Sequence, residues 1–364
     1  MPEPEPTFRI GTDSSKFPAP AGTDAAWLLQ KAASAGLEGV FFRSALELSP
    51  TLDVGELTAL RQQADELDLY LEVGAAKINP FAAPEAPEIR ALGDGDYLLG
   101  IERIVAACAA AGIHEIWAAT ANYKFDLAGR LACDRYRTDV TWEEQLRATA
   151  KVMAELAPVL RAHGSHLNIE THEEITTFEL VRLVEEGGPD AFGITFDTAN
   201  VLIRGEDPVA AARRVAPYTR QTHVRDGALF FTDQGLCRML APCGQGVIDW
   251  PALMAALVGA PRRALSIEGI MGRRFQLPIP IYDPLWHAGQ PDMTTVEITE
   301  LVRLARAYDA AVARGERRSL ASLSEPADDD ERERFVLDSV AHLRAVAVGI
   351  GATVDTRIGA GAPR

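Results

Sequence analysis

Four short stretches of this chain each end an apolar run on a residue able to hold a metal ion or move a proton. They read Asn168-Ile169-Glu170-Thr171-His172; Thr195-Phe196-Asp197, followed by Thr198-Ala199-Asn200; Gln221-Thr222-His223-Val224-Arg225-Asp226; and Ser266-Ile267-Glu268-Gly269. Three carboxylates and one imidazole at one place repel strongly if all are ionised and unpaired, and a divalent cation removes that cost. The candidate metal ligands are therefore Glu170, Asp197, His223 and Glu268. An oxygen-rich set with one nitrogen suits Mn²⁺ best; Mg²⁺, Co²⁺ and Zn²⁺ stay open, because ligand type alone does not fix the metal. A single Glu or His at a strand end is ordinarily a hydrogen-bonded structural group. Four consecutive strands ending this way point to chemistry.

The elements that must position these residues follow from the alternation of short β-branched or aromatic runs with longer helical patterns, the mark of βα units. Strands are expected at 8–12, 39–43, 70–74, 115–119, 166–172, 192–197, 221–225 and 264–268. Helices are expected at 24–35, 54–67, 97–111, 142–163, 177–186, 208–215 and 250–257, several closed by a glycine such as Gly36, Gly112 or Gly187. Eight such repeats point to a closed (β/α)8 TIM barrel, with a doubly wound open sheet as the alternative. The first strand runs into Gly-Thr-Asp rather than a GxGxxG turn, so no dinucleotide fingerprint is present. In a parallel barrel, active sites gather at the C-terminal strand ends. Side chains alternate across a strand, so Asn168, Glu170 and His172 share one face, as do Gln221, His223 and Arg225. Leu167 and Ile169 then face the helices, and the polar set lines the barrel axis.

Other residues fall on the same rim. His172 is either a second candidate base or a residue that orients Glu170. Arg225 is placed to bind a substrate oxygen or phosphate, with Asp226 holding Arg225 or His223. Lys77 and Asn79 follow the third strand; Trp117, Asn122, Tyr123 and Lys124 lie at or after the fourth. Lys77 is a candidate substrate contact, and Trp117 could stack on a sugar face. After the eighth strand an apolar, Pro-rich loop at 270–291 carries Tyr282, Trp286 and His287, and is expected to close over the mouth. Phe230 and Phe231 add aromatic surface near the metal.

The totals set bounds on the rest. A barrel of this type takes roughly 250 residues and tolerates insertions, and the chain has 364. The expected organisation is a barrel at 8–312, including a helix near 294–314, a charged linker at 313–334, and a C-terminal helix with a flexible tail at 335–364. The formal net charge of −16 is interrupted by no basic stripe, which argues against nucleic acid and against an anionic membrane surface. No run of about 18 apolar residues occurs, and the N-terminus lacks the n-region and h-region of a signal peptide. Four cysteines without close pairing fit a reducing cytosol, so a cytoplasmic location is expected.

The strings NIETHEE, GITFDTAN, THVRD and LSIEG resemble the strand ends of the xylose-isomerase-like barrel superfamily. Within it they are most similar to the sugar-phosphate isomerase/epimerase group, which includes ketose 3-epimerases and inosose-processing enzymes. The resemblance takes in about residues 8–312. It implies that Glu170, Asp197, His223 and Glu268 bind one divalent metal, and that Glu170 and Glu268 also shuttle a proton on opposite faces of the substrate. A Lewis acid across a carbonyl and its neighbouring hydroxyl stabilises an enediolate as it forms, and a base must lie within hydrogen-bond reach of the carbon-bound proton. Epimerases of the group often carry a histidine three residues after the metal aspartate, where this chain has Asn200, which can bind a hydroxyl but cannot take a proton.

The expectation is a metal-dependent isomerase or epimerase acting on a carbohydrate or cyclitol. The alternative is a lyase of the same superfamily that cleaves C-glycosides or 3-keto-glycosides. It would call for an aromatic pocket and a small partner subunit, whereas the apolar lid and C-terminal helix otherwise suit a homo-oligomer. No Gly-rich phosphate cradle is evident, so a phosphorylated substrate is not favoured. A three-zinc apurinic endonuclease barrel needs more strand-end histidines and a basic face. A non-enzymatic scaffold would leave the four ligands without purpose.

Overall fold

Eight of the apolar runs form parallel strands that pair in chain order and close on themselves. In the computed structural model, which describes residues 7–127 and 129–354, they are β1 (Thr7–Asp13), β2 (Gly39–Phe42), β3 (Tyr70–Lys77), β4 (Glu115–Ala119), β5 (His166–Glu170), β6 (Phe192–Asp197) and β7 (Thr219–Val224). After a hairpin of β8 (Asp226–Thr232) and β9 (Gly235–Ala241) comes the eighth, β10 (Ala264–Ile267). β10 pairs with β7 on one side and β1 on the other, which completes the barrel. A closed sheet leaves no edge, so the strands are buried on both faces. The N-terminal residues 1–6 and the tail at 359–364 expected to be flexible lie outside the described residues.

The helices between the strands are α1 (Ala25–Ser34), α2 (Val54–Glu66), α3 (Pro87–Leu92), α4 (Tyr97–Ala110), α5 (Trp142–His163), α6 (Thr177–Gly187), α7 (Pro208–Val215) and α8 (Trp250–Leu257). All but the short α3 start on an Asp or Thr whose side chain accepts from a first-turn N–H. Each such cap stabilises its helix start by roughly 1 kcal/mol and fixes where the chain turns off the barrel rim. After β10 come β11 (Leu277–Ile279), α9 (Pro284–Ala288), α10 (Thr295–Ala313), α11 (Leu320–Ser324), α12 (Asp329–Gly349) and β12 (Thr353–Val354).

The C-terminal helix is present and completes the outer ring. α12 buries Phe335, Val336, Val340, Leu343 and Ala347 in the main core. It lies against α8 and β1, and its Glu333 pairs with Lys31 of α1 at 3.5 Å. It begins at Asp329, inside the segment expected to be a charged linker, and α11 lies in that segment too with Leu323 buried. The acidic run Asp328–Glu331 reads as solvated charge, yet it is a helix start: Asp328 caps Glu331 N–H, and carboxylates in a first turn favour the helix dipole.

A second layer sits over the mouth. β8, β9 and β11 form an antiparallel sheet with its own core, in which Leu202, Leu229, Leu236, Leu277, Ile279 and Trp286 are fully buried or nearly so. The loop at 270–291 is therefore part of a folded roof, since β11 pairs with β9 and leaves its proline on an outer strand. Its aromatic residues do not line an aromatic pocket: Trp286 is in the roof core, Tyr282 is exposed, and His287 Nε2 bonds the Ile281 carbonyl at 2.6 Å. Phe230 packs on Tyr308, ring centroids 5.2 Å apart, and Phe231 is exposed, so neither adds surface at the barrel axis. All four cysteines are buried and free. Among the described residues no helix is long and apolar enough to cross a membrane.

Candidate metal centre

Strand register brings the four candidate ligands to one place. Asp197 stands beside His223 across β6 and β7, and His223 stands beside Ser266 across β7 and β10. Glu268 is the first residue beyond β10, its N–H bonded to the Val224 carbonyl. Glu170 ends β5 one strand further round. Each of the four offers one ligand atom, and those atoms all lie within 4.8 Å of one another. Donors roughly 2.0–2.3 Å from one ion stand at most about 4.6 Å apart, so a small contraction fits them to a divalent cation. His223 Nε2 is buried without a hydrogen-bond partner, the condition a bound ion relieves. The cluster can hold a divalent metal.

The surrounding bonds orient these groups. Glu170 accepts from His223 Nδ1 at 2.9 Å through one oxygen and from Trp117 Nε1 at 3.1 Å through the other. Asp197 Oδ1 accepts from the N–H groups of Ala199 and Asn200, both at 2.9 Å, which fixes the carboxylate plane. Arg225 is embedded among the carboxylates: Nη2 lies 2.6 Å from Asp197 Oδ2, and Nη1 lies 2.7 Å from Glu268 Oε2. It also donates to Asn200 Oδ1 at 3.1 Å, leaving Asn200 Nδ2 buried and unpartnered.

Protonation follows from burial and these pairings. Burial alone would raise Glu268, but Arg225 and His223 outweigh it and hold the carboxyl down at about 2. For Asp197 burial wins over Arg225, and the neighbouring Glu268 and Glu170 add to it, lifting the group to about 6. Burial would lower His223, yet the three carboxylates around it carry it up to about 9.

The flanking residues distribute as follows. His172 lies past the end of β5, and its side-chain partners are Glu173 and Glu174 rather than Glu170. Its Nδ1 is 2.7 Å from Glu173 and 2.9 Å from Glu174, and those carboxylates overcome burial to hold the ring well above its ordinary range, as a donor. Regular strand geometry stops two residues earlier, at Glu170. Asp226 holds neither Arg225 nor His223; it accepts from Trp250 Nε1 at 2.8 Å and from the N–H groups of Gly227, Gly244 and Ile248. Lys77 ends β3 with Nζ on the Ala121 carbonyl and 5.0 Å from the Trp117 ring. Trp117 flanks the cluster, its ring 6.3 Å from that of His223. Asn79 bonds Gln145, Tyr123 packs on Phe125, and Lys124 pairs with Asp134.

Charged residues near the mouth that escape a strand-end reading include Glu173, Arg204 and Arg238. Glu173 follows β5, Arg204 ends a 3₁₀ turn after β6 (Asn200–Arg204), and Arg238 lies in the middle of β9. The hairpin that carries Arg238 did leave a signal, two alternating apolar runs around Asp233-Gln234-Gly235.

Comparison with known proteins agrees with this architecture. Residues 29–271 match the family described as xylose isomerase-like TIM barrel. Among curated proteins, the uncharacterized protein YihM of Escherichia coli (strain K12) is 31% identical over 121 residues, 32% of this chain and 37% of that protein. The match thus spans little more than a third of that relative. Among solved structures, a D-psicose 3-epimerase is similar with a TM-score of 0.60 at 16% identity, over 94% of this chain and all of the other. An L-ribulose 3-epimerase is similar at 0.52 and 19% identity, over 88% of this chain and 100% of the other. The 3-keto-D-glucoside 4-epimerase YcjR from E. coli follows at 0.53 and 16% identity, over 82% and 100%. At these identities the likeness is one of fold.

Proposed function

Because this chain belongs to the xylose isomerase-like TIM barrel family, we propose that it is a divalent-metal-dependent isomerase or epimerase of a small polyhydroxylated carbonyl compound. The observation that carries the reading is the cluster of Glu170, Asp197, His223 and Glu268, buried and within one ion's reach. Its similarity in fold to epimerases of D-psicose, L-ribulose and a 3-keto-D-glucoside supports the substrate class. A divalent cation, with Mn²⁺ favoured by the donor set, would supply Lewis acidity toward a carbonyl oxygen and its neighbouring hydroxyl.

The chain's own residues do the rest. Glu170 and Glu268 end strands separated by β6 and β7, and so present carboxylates from two sides of the space between them. Either can take a carbon-bound proton and the other return one, which inverts or moves a stereocentre. The His223 and Trp117 N–H groups hold Glu170, and Arg225 holds Glu268 as the anion. Asn200 Nδ2 remains to orient a hydroxyl. The roof buries the site and excludes water from the proton in transit. The lyase alternative draws less support, since Trp286 packs in the roof core, Phe230 packs on Tyr308, and Tyr282 and Phe231 are exposed.

The test is deuterium incorporation from D₂O into a panel of ketoses, keto-glycosides and cyclitols, followed by NMR with Mn²⁺ present and after chelation. Exchange at a carbon next to a carbonyl, abolished by chelation and restored by Mn²⁺, is the expected result. Exchange indifferent to metal, or none with any member of the panel, sinks the proposal.

A further inference from the structure

Beyond the metal cluster, the roof brings a second set of charges to the mouth. Arg238 is 1% exposed and Arg204 2% exposed. In both guanidinium groups Nε and Nη1 have no hydrogen-bond partner. A buried arginine is ordinarily fully bonded, because an unpaired buried charge costs several kcal/mol. The same protein shows the ordinary case in Arg135, whose guanidinium is bidentate on Glu179 at 2.7 and 2.9 Å.

The geometry ties both groups to the candidate site. Arg238 reaches inward from β9 with Nη2 3.9 Å from Glu173 Oε1, and Glu173 is paired with His172, two residues past Glu170. Its stem passes over Gly227, where a Cβ would stand 3.3 Å from Arg238 Cγ and 2.4 Å from a Leu202 methyl. A side chain there would meet the Leu202 methyl first and press on the arginine stem. Arg204 leaves the 3₁₀ turn that starts at Asn200, with its guanidinium 5.8 Å from the Tyr136 ring. The turn that carries Arg204 lies against β9, the strand that carries Arg238, so the two cations share one neighbourhood. Burial and the nearby Arg225 lower Arg238 to about 10, and it remains charged at neutral pH.

The two guanidinium groups set the sign of what belongs there. The carboxylate that faces Arg238, Glu173, stands 3.9 Å from its Nη2 and is already engaged by His172 at 2.7 Å. Nε and Nη1 of both arginines, four nitrogens, are left over, and guanidinium forks match planar or tetrahedral oxyanions.

We propose that Arg204 and Arg238 form an oxyanion subsite beside the metal centre, so that the substrate is an acidic carbohydrate, a sugar carboxylate or a sugar phosphate. This rests on the isomerase reading for the reaction but not for the binding. On this proposal arginine side chains take the place of the backbone N–H groups that a Gly-rich cradle would supply.

The experiment uses the full chain loaded with Mn²⁺ and three open-chain probes with no carbonyl to turn over: D-glucitol, D-gluconate and D-glucitol 6-phosphate. Calorimetry should give an affinity for one or both anions roughly 10–100-fold above that for D-glucitol, the range of one to two charge-assisted bonds. Gluconate alone identifies a carboxylate, and the phosphate ester alone a phosphate. Arg204→Met and Arg238→Met should each erase most of the ratio, and Arg238→Lys should restore part of it, with circular dichroism confirming the fold of each variant. Equal or absent binding of the three probes by the wild type overturns the subsite. So does an anion preference that survives in both Met variants, as direct ligation of the metal would produce. Deuterium exchange into neutral sugars by the same preparation would leave the proposed reaction standing while the subsite fell.

Discussion

The two ends of the barrel interior are both charged, but they are finished differently. At the N-terminal floor Glu115 is gripped by Arg220, with nitrogens at 2.8 to 3.2 Å, and receives Asn168 Nδ2 at 3.0 Å. The cations there, Arg220 and Arg262, keep 22% and 38% of their side chains in contact with solvent. At the mouth, Arg225, Asp197 and Glu268 are buried together, with orphaned atoms on His223 and Asn200. A floor pair whose cation reaches water is complete in itself. A sealed cluster with unspent donors and acceptors is complete only with something else in it.

The largest expected effect separates the two ends by rate. Glu170→Gln and Glu268→Gln should each slow proton exchange by about 10²–10⁴-fold, the usual weight of a positioned acid or base. Glu115→Gln at the floor should stay within about threefold of wild type. Comparable losses at both ends, measured by NMR in D₂O, would break the contrast.

The next effect concerns what balances the mouth. Arg225→Met leaves Asp197 and Glu268 without their cation and should cost the metal-free protein about 3–5 kcal/mol in denaturant unfolding. Mn²⁺ should then stabilise the variant more than the wild type, since the ion alone neutralises the carboxylates. An equal Mn²⁺ increment in both proteins would show that Arg225 is not the counter-charge of the site.

The smallest effect tests a floor group that resembles the mouth. Glu72 is fully buried, neither of its oxygens has a hydrogen-bond partner, and its nearest cation, Arg262, is 3.7 Å away. Burial therefore pushes it from 4.5 up to about 7. A carboxyl raised in the folded state favours folding while protonated, so its contribution is complete below the unfolded value near 4.5 and is lost as pH rises through about 7. Glu72→Gln should thus match wild type at pH 5 and exceed it at pH 8, by up to about 3 kcal/mol. A gain that is the same at both pH values would mean that Glu72 is not protonated on folding.

Much of the inner site was legible. Glu170, Asp197, His223 and Glu268 close apolar runs on separate strands, and a two-residue period together with parallel order suffices to aim them at one point. His172 and Asp226 took other partners than expected because each follows the strand that would have aimed it: β5 ends at Glu170, and Asp226 opens β8. Those partners, Glu173 and Glu174 for one and Trp250 for the other, come from outside the barrel strands. The aromatic lid was misread because apolar residues in a connection can pack on each other as well as on a ligand, and Trp286 and Phe230 found neighbours within the roof.

What the sequence by itself determined is whatever rests on local period: eight strands, their helices and caps, and four metal-competent residues at consecutive strand ends. Only the tertiary structure decided which charges neutralise which. It placed Arg225 between two carboxylates and carried Arg204 and Arg238 in from a 3₁₀ turn and a hairpin strand, leaving their donors unspent. The physical reason is range. Backbone periodicity acts over a few residues, whereas the fate of a charge depends on which distant side chain is buried against it.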